Sequence, residues 1–100
     1  MKITKIENGE ELTLKLSGEL EMLQSSALED EVKSIPNGVK KLILDFEDVE
    51  YISSAGVRAL LQASKFMESR KGKLTLRKLN DNVIEILKMA SLLDLLDIEK

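Results

Sequence analysis

The residues best placed to take part in chemistry lie in one segment, Tyr51-Ile52-Ser53-Ser54-Ala55-Gly56-Val57-Arg58. Two adjacent hydroxyls follow a buried-strand pattern and open a helical one. A hydroxyl on an exposed helix start suits phosphorylation, because the roughly −1.5 to −2 charges of a phosphate are tolerated by the positive end of the helix dipole. A plainer role is open to the same residues. Ser53 or Ser54 can serve as an N-cap, its oxygen accepting from an unpaired N–H of the first turn. One serine suffices for that, which leaves the second hydroxyl for other use. Gly56 costs a helix about 1 kcal/mol relative to Ala, so its presence implies a close approach to the backbone at that point.

Other chemistries are poorly supported. Asp45, Glu47, Asp48 and Glu50 place four carboxylates in six positions, a composition that invites a divalent cation. Their spacing does not match a calcium loop, and the run reads more simply as a solvated acidic loop at the end of a strand. The chain has no His and no Cys, which excludes disulfides, thiol catalysis, Cys/His zinc sites and Ser-His-Asp catalysis. There is neither a GxxxxGK nor a GxGxxG phosphate loop. An enzyme would have to work with carboxylates or lysines alone, and no pair is spaced for it. No catalytic residue, metal or cofactor is expected.

The 100 residues suit a single domain over residues 1–100, and 43% of them are apolar, enough for a buried core. Fifteen Lys and Arg against 18 Asp and Glu give a net charge of −3, unlike the basic excess of a nucleic-acid binder. The opening MKITKIENGEE lacks an apolar signal core, and no stretch approaches the roughly 18 apolar residues of a membrane span. A cytoplasmic protein engaging neither membrane nor nucleic acid is expected.

The elements that must position the serines follow from hydrophobic periodicity. Ile3 and Ile6 mark a first strand, Asn8-Gly9 a hairpin turn, and Leu12, Leu14 and Leu16 an alternating second strand that ends at Ser17-Gly18. Leu28, Val32 and Ile35 predict a helix over about 25–35, capped by Ser25 or Ser26 and stopped by Pro36-Asn37-Gly38. The run Lys41 to Phe46 predicts a central strand covered on both faces. A second helix is expected over about 55–70, closed by Lys71-Gly72, then a strand over 73–78. A third helix follows, capped by Asn80 or Asp81, with Val83, Ile86, Leu87 and Ala90 inward, and the leucines of 92–98 pack down as a turn or short strand. This order is α/β, with helices long enough to serve as parallel crossovers.

The sequence resembles the STAS domain, and within it the bacterial anti-sigma factor antagonists. The resemblance spans nearly the whole chain and rests on Leu16-Ser17-Gly18-Glu19-Leu20-Glu21, on Leu42-Ile43-Leu44-Asp45-Phe46, on Val49 to Val57, and on the segment from Asn82 to Leu96. It implies a mixed four- to five-stranded sheet with helices packed mainly on one face. It implies a partner as well: an anti-sigma factor that is also a serine kinase with a histidine-kinase-like ATP-binding fold. The antagonist binds that partner while unphosphorylated, freeing the sigma factor. Phosphorylation releases the antagonist, and a metal-dependent Ser/Thr phosphatase restores it.

In the family pattern Asp-Ser-Ser/Thr/Ala-Gly the acceptor stands two residues before the glycine, which is Ser54 here, with Ser53 as second choice. Ser53 replaces the family's Asp, and Glu21 replaces the Asp of an earlier Gly-x-Leu-Asp segment. The expected docking surface takes in Gly18 to Leu23, Asp48 to Ser53 and the exposed face of 56–65. Within it, Glu21, Met22, Asp48, Tyr51, Ser53, Ser54, Gly56 and Arg58 are the candidate contacts, Gly56 letting the partner backbone come close and Arg58 lying at the rim. The alternative function is a constitutive STAS interaction subunit of a signalling or lipid-transport assembly, without a phosphate switch.

Overall fold

The alternation of Leu12, Leu14 and Leu16 with Thr13 and Lys15 builds β2 (Glu11–Leu20), with those three leucines buried. In the computed structural model, which describes residues 2–99, β1 (Lys2–Asn8) pairs antiparallel with it. Asn8 pairs with Glu11, so the tight turn is Gly9-Glu10, one position beyond the expected dipeptide, and Gly9 takes φ +65°. Three parallel strands follow, each reached through a helix: α1 (Met22–Lys33) to β3 (Lys41–Ile52), α2 (Ser54–Ser69) to β4 (Lys73–Arg77), and α3 (Asp81–Met89) to β5 (Asp97–Glu99). The sheet order is β1-β2-β3-β4-β5. Because the sheet advances one strand at a time in one direction and such crossovers are right-handed, all three helices fall on the same face.

Between that face and the helices lies one core, including Leu14, Leu44, Phe46 and Leu76 from the sheet and Leu28, Leu60, Met67 and Leu87 from the helices. The other face is polar. The expectation that the run through Ile43 is covered on both faces is corrected: helices cover one side only. Ile43 is nonetheless buried, flanked in register by Thr13 and Thr75.

Several boundaries differ for physical reasons. β2 does not stop at Ser17-Gly18: Gly18 takes φ +111° and the strand continues to a fully buried Leu20. The acidic run is not a loop but the second half of β3. The register with β2 slips twice, between Lys15/Ser17 and between Gly18/Leu20. Each slip gives β3 one extra residue, so the core-facing positions change from the alternating Leu42, Leu44 and Phe46 to Phe46, Val49 and Ile52. That spacing of three hides a strand among charges.

Helix α1 starts at Met22, not near Ser25. Ser25 is no cap but a buried residue inside the helix, its hydroxyl without a hydrogen-bond partner. Ile35 is buried beyond the helix end, in the turn. In α3, Val83 and Leu87 point inward and Ile86 is partly buried, whereas Ala90 is exposed at the C-cap.

Candidate functional site

At the carboxyl ends of β2 and β3 the chain enters α1 and α2 side by side, in the position where open α/β sheets meet ligands and partners. One carbonyl organises this corner. Leu20 O accepts the backbone N–H of Ser53 (2.9 Å) and the Ser53 hydroxyl (3.3 Å). The same Ser53 hydroxyl oxygen accepts from the N–H of Gly56 (3.3 Å), and the Ser53 carbonyl accepts from Val57 N–H (2.9 Å). Ser53, with extended backbone, is therefore the N-cap, and its hydroxyl proton is committed to Leu20. Ser54 is the first residue of the helix and is exposed. Thus the two adjacent hydroxyls divide between holding the helix start and facing outward from it.

The close approach signalled by Gly56 comes from within the chain. Gly56 is buried, and a Cβ placed there would lie 2.5 Å from the Leu20 carbonyl oxygen, 3.1 Å from Leu20 Cγ and 3.3 Å from Ile52 Cβ. This corrects the expectation that Gly56 admits a partner's backbone: the glycine admits the end of β2. Its conformational freedom is not what is used here, since only the missing Cβ lets strand and helix touch.

The start of α1 is different. Its N-cap, Glu21, makes no side-chain capping bond, and the first turn holds no acidic residue. Met22 and Leu23 are 75% and 79% exposed, an apolar pair at the surface. Glu21 is exposed beside them. The pairing of Leu20 with Ile52 and the Ser53–Leu20 bonds set Glu21 and Met22 next to the α2 start.

The remaining candidates spread outward. Arg58 is exposed one helical turn beyond Ser54 and lines a groove between α1 and α2. Tyr51, 46% exposed, lines a shallow depression with Glu19, Glu50, Asn82 and Glu85, at the start of α3. Asp48 is drawn elsewhere. The first register slip leaves Glu47 and Asp48 both exposed, and Lys15 Nζ reaches Glu47 (3.2 Å) and Asp48 (3.8 Å). Asp48 lies five strand residues from Ser53, about 16 Å along the chain.

That ion-pair group belongs to the open sheet face. The hydrogen bond to Glu47, then the charges of Glu47 and Asp48, hold the Lys15 ammonium above the usual lysine range. The same bond from Lys15, aided by Lys78, holds Glu47 below the usual carboxylate range. Asp45, buried at the same face, accepts from the N–H of Glu47 (2.9 Å). Among the described residues, no group of three or more Asp and Glu side chains is placed to hold a metal, and no helix is long and apolar enough to cross a membrane.

Sequence reasoning missed two anchors. The Leu20 carbonyl has no sequence signature, since every residue carries one. Asn80 had a signal as a cap, which it is, accepting from Val83 N–H (2.8 Å). Its amide also donates to the carbonyls of Val49 (3.1 Å) and Glu50 (3.3 Å), tying α3 to the end of β3.

With this geometry in view, comparison with known proteins is informative. A family model described as "Mlab, STAS domain" matches residues 3–97. BtrV of Bordetella bronchiseptica, assigned as an anti-sigma factor antagonist, is 29% identical over 96 residues, covering 95% of this chain and 83% of its own. The anti-sigma-B factor antagonist of Bacillus subtilis is 22% identical over 92 residues, 92% of this chain and 84% of its own. Among solved structures, a Thermotoga maritima protein assigned as an anti-sigma factor antagonist superposes with a TM-score of 0.90 at 21% identity, covering 98% of this chain and 86% of its own. The sheet order, the single helical layer and a family match over almost the full length agree: the chain belongs to the STAS domain family.

Proposed function

We propose that this protein is an anti-sigma factor antagonist controlled by phosphorylation of Ser54. In its unphosphorylated form it binds an anti-sigma factor that is also a serine kinase with a histidine-kinase-like ATP-binding fold, and so frees a sigma factor. The observation that carries the reading is the division of labour at the α2 start. Ser53 takes the capping bonds, while Ser54, one residue on, is exposed on a helix start braced against Leu20.

ATP and Mg²⁺ belong to the kinase, which must bring its γ-phosphate in line with the Ser54 hydroxyl. The antagonist supplies a rigid presentation of that hydroxyl and a surface around it, with Met22, Leu23 and Tyr51 as exposed apolar and aromatic contacts. A phosphate on Ser54 then sits inside a desolvated contact. Taking that charge out of water costs several kcal/mol, and each 1.4 kcal/mol is about tenfold in affinity, which suffices for release of a micromolar partner. A metal-dependent Ser/Thr phosphatase resets the system.

The second reading, a constitutive interaction subunit of a signalling or lipid-transport assembly, is favoured by one feature: Ser53 stands where the family pattern has Asp, so no carboxylate adjoins the acceptor. Intact mass and size-exclusion after incubation with ATP-Mg²⁺ and a candidate anti-sigma kinase from the same genome separate the two. The switch predicts one added phosphate and loss of the complex. A stable complex with no added phosphate supports the constitutive subunit instead.

A further inference from the structure

The groove between α1 and α2 has a character unlike the rest of the surface. Its floor is apolar, formed by Val32 of α1 and by Ala59, Ala63 and Phe66 of α2, and its volume is about 400 Å³. Ala59 and Ala63, one turn apart, keep the trough open where larger side chains would fill it. Its rim carries Lys33, Arg58 and Lys65 against one carboxylate, Glu29, a local charge of 3 − 1 = +2 on a protein of net charge −3. Elsewhere, among the described residues, Lys5 pairs with Glu31, Lys15 with Glu47, Lys41 with Glu11, Lys73 with Asp97, Arg77 with Glu99 and Lys78 with Glu47, Lys40 and Arg70 donate to backbone carbonyls, and Lys2, Lys71 and Lys88 form no ion pair. Among the described residues, Lys33, Arg58 and Lys65 take part in no such pair, although Glu29 lies in the same groove.

The far end of the groove is preformed. Arg70 stacks on the Phe66 ring at 4.7 Å and donates to the carbonyls of Pro36 (2.7 Å) and Ile35 (3.3 Å), locking the segment after α1 onto the end of α2. At the near end the groove meets Ser54, because Ser54, Arg58, Gln62 and Lys65 follow one exposed stripe of α2 at helical spacing.

We propose that this groove seats an acidic amphipathic helix of the partner protein, its apolar side on the alanine trough and its carboxylates on Lys33, Arg58 and Lys65. An apolar floor with charged margins is how grooves between helices take up partner helices. The sign of the margin selects an acidic one, which the acidic remainder of the surface would repel. The inference rests on the partner reading of the Ser54 face and adds a consequence to it. A phosphate on Ser54, four residues before Arg58, would claim that guanidinium as a bidentate counter-ion and so take a cation away from the docked helix.

The test uses this 100-residue chain and a candidate anti-sigma kinase from the same genome, with affinity read by calorimetry. Lys33→Glu/Lys65→Glu should weaken binding at least tenfold with the circular dichroism and melting temperature unchanged, since both side chains are exposed. The charge-matched control Lys2→Glu/Lys88→Glu should stay within about twofold. A photo-crosslinker in place of Gln62 should map to an Asp/Glu-rich helical peptide of the kinase. Equal weakening by both double variants, no weakening by either, or a crosslink to a basic or extended segment overturns the proposal. So does a groove whose reversal instead abolishes self-association in light scattering, or binding to anionic phospholipid vesicles, and leaves kinase affinity intact. If wild type forms no complex at all, the partner reading itself has failed, and this inference falls with it.

Discussion

Helices α1 and α2 begin next to one another, at the ends of two paired parallel strands, yet they are built differently. The start of α2 is over-determined. A serine cap, a strand carbonyl and a glycine that permits contact all meet at Leu20. The start of α1 has no side-chain cap, no acidic residue in its first turn, and two large apolar side chains in solvent. On the proposed function, the difference suits two kinds of work: a hydroxyl presented to another protein's active site has to be held still, whereas an apolar pair that meets a partner gains from being left uncovered.

The largest expected effect falls on the outward serine. Ser54→Asp places charge on the braced start and should weaken the kinase complex about a hundredfold, roughly 3 kcal/mol, while Ser54→Ala binds as wild type; calorimetry reads both. Next comes the brace. Gly56→Ala drives a methyl group into Leu20 and Ile52, and should lower unfolding free energy by about 2–3 kcal/mol in denaturant melts. Ser53→Ala removes the cap and the hydroxyl's bond to Leu20 O, while the Ser53 N–H bond to that carbonyl remains, and should cost about 1 kcal/mol. The opposite change sharpens the comparison from the other side. Glu21→Ser gives α1 the cap it lacks and should raise stability by about 0.5–1 kcal/mol.

The smallest effect is that of pH, and it should spare the α2 start, whose cap is a hydroxyl. On the sheet, Glu47 is lowered chiefly by its bond from Lys15, and Asp97 chiefly by its bond from the Thr75 hydroxyl. Groups with lowered native values stabilise above their unfolded values and lose that contribution as pH falls through the native ones, so a slight loss is expected below about pH 4. Lys15, raised, contributes below its unfolded value and loses its share as pH rises through the native one. Thermal melts across pH on wild type and Lys15→Met should show both shifts shrink in the variant.

Much of this was legible from residue order. Period-2 leucines gave β2, the apolar run gave the centre of β3, and the helical stripes gave all three helices. What escaped shares a physical cause: information held in pairing between segments. The two register slips that turn an acidic stretch into strand exist only because β2 lies alongside β3. Caps such as Ser25 and Ser26 are the usual signal of a helix start, and α1 begins without one. Gly56 was legible as a close approach, but not the identity of what approaches. At the site, the pair of serines was visible and their division of roles was not, because it depends on Leu20, thirty-three residues away in sequence.

The most direct test of that division compares phosphate incorporation into Ser53→Ala and Ser54→Ala by a candidate anti-sigma kinase from the same genome, using peptide mapping. The account predicts one phosphate on Ser54 in the Ser53→Ala protein and none in Ser54→Ala. A phosphate that persists on Ser53 when Ser54 is gone, and vanishes when Ser53 is replaced, would contradict it.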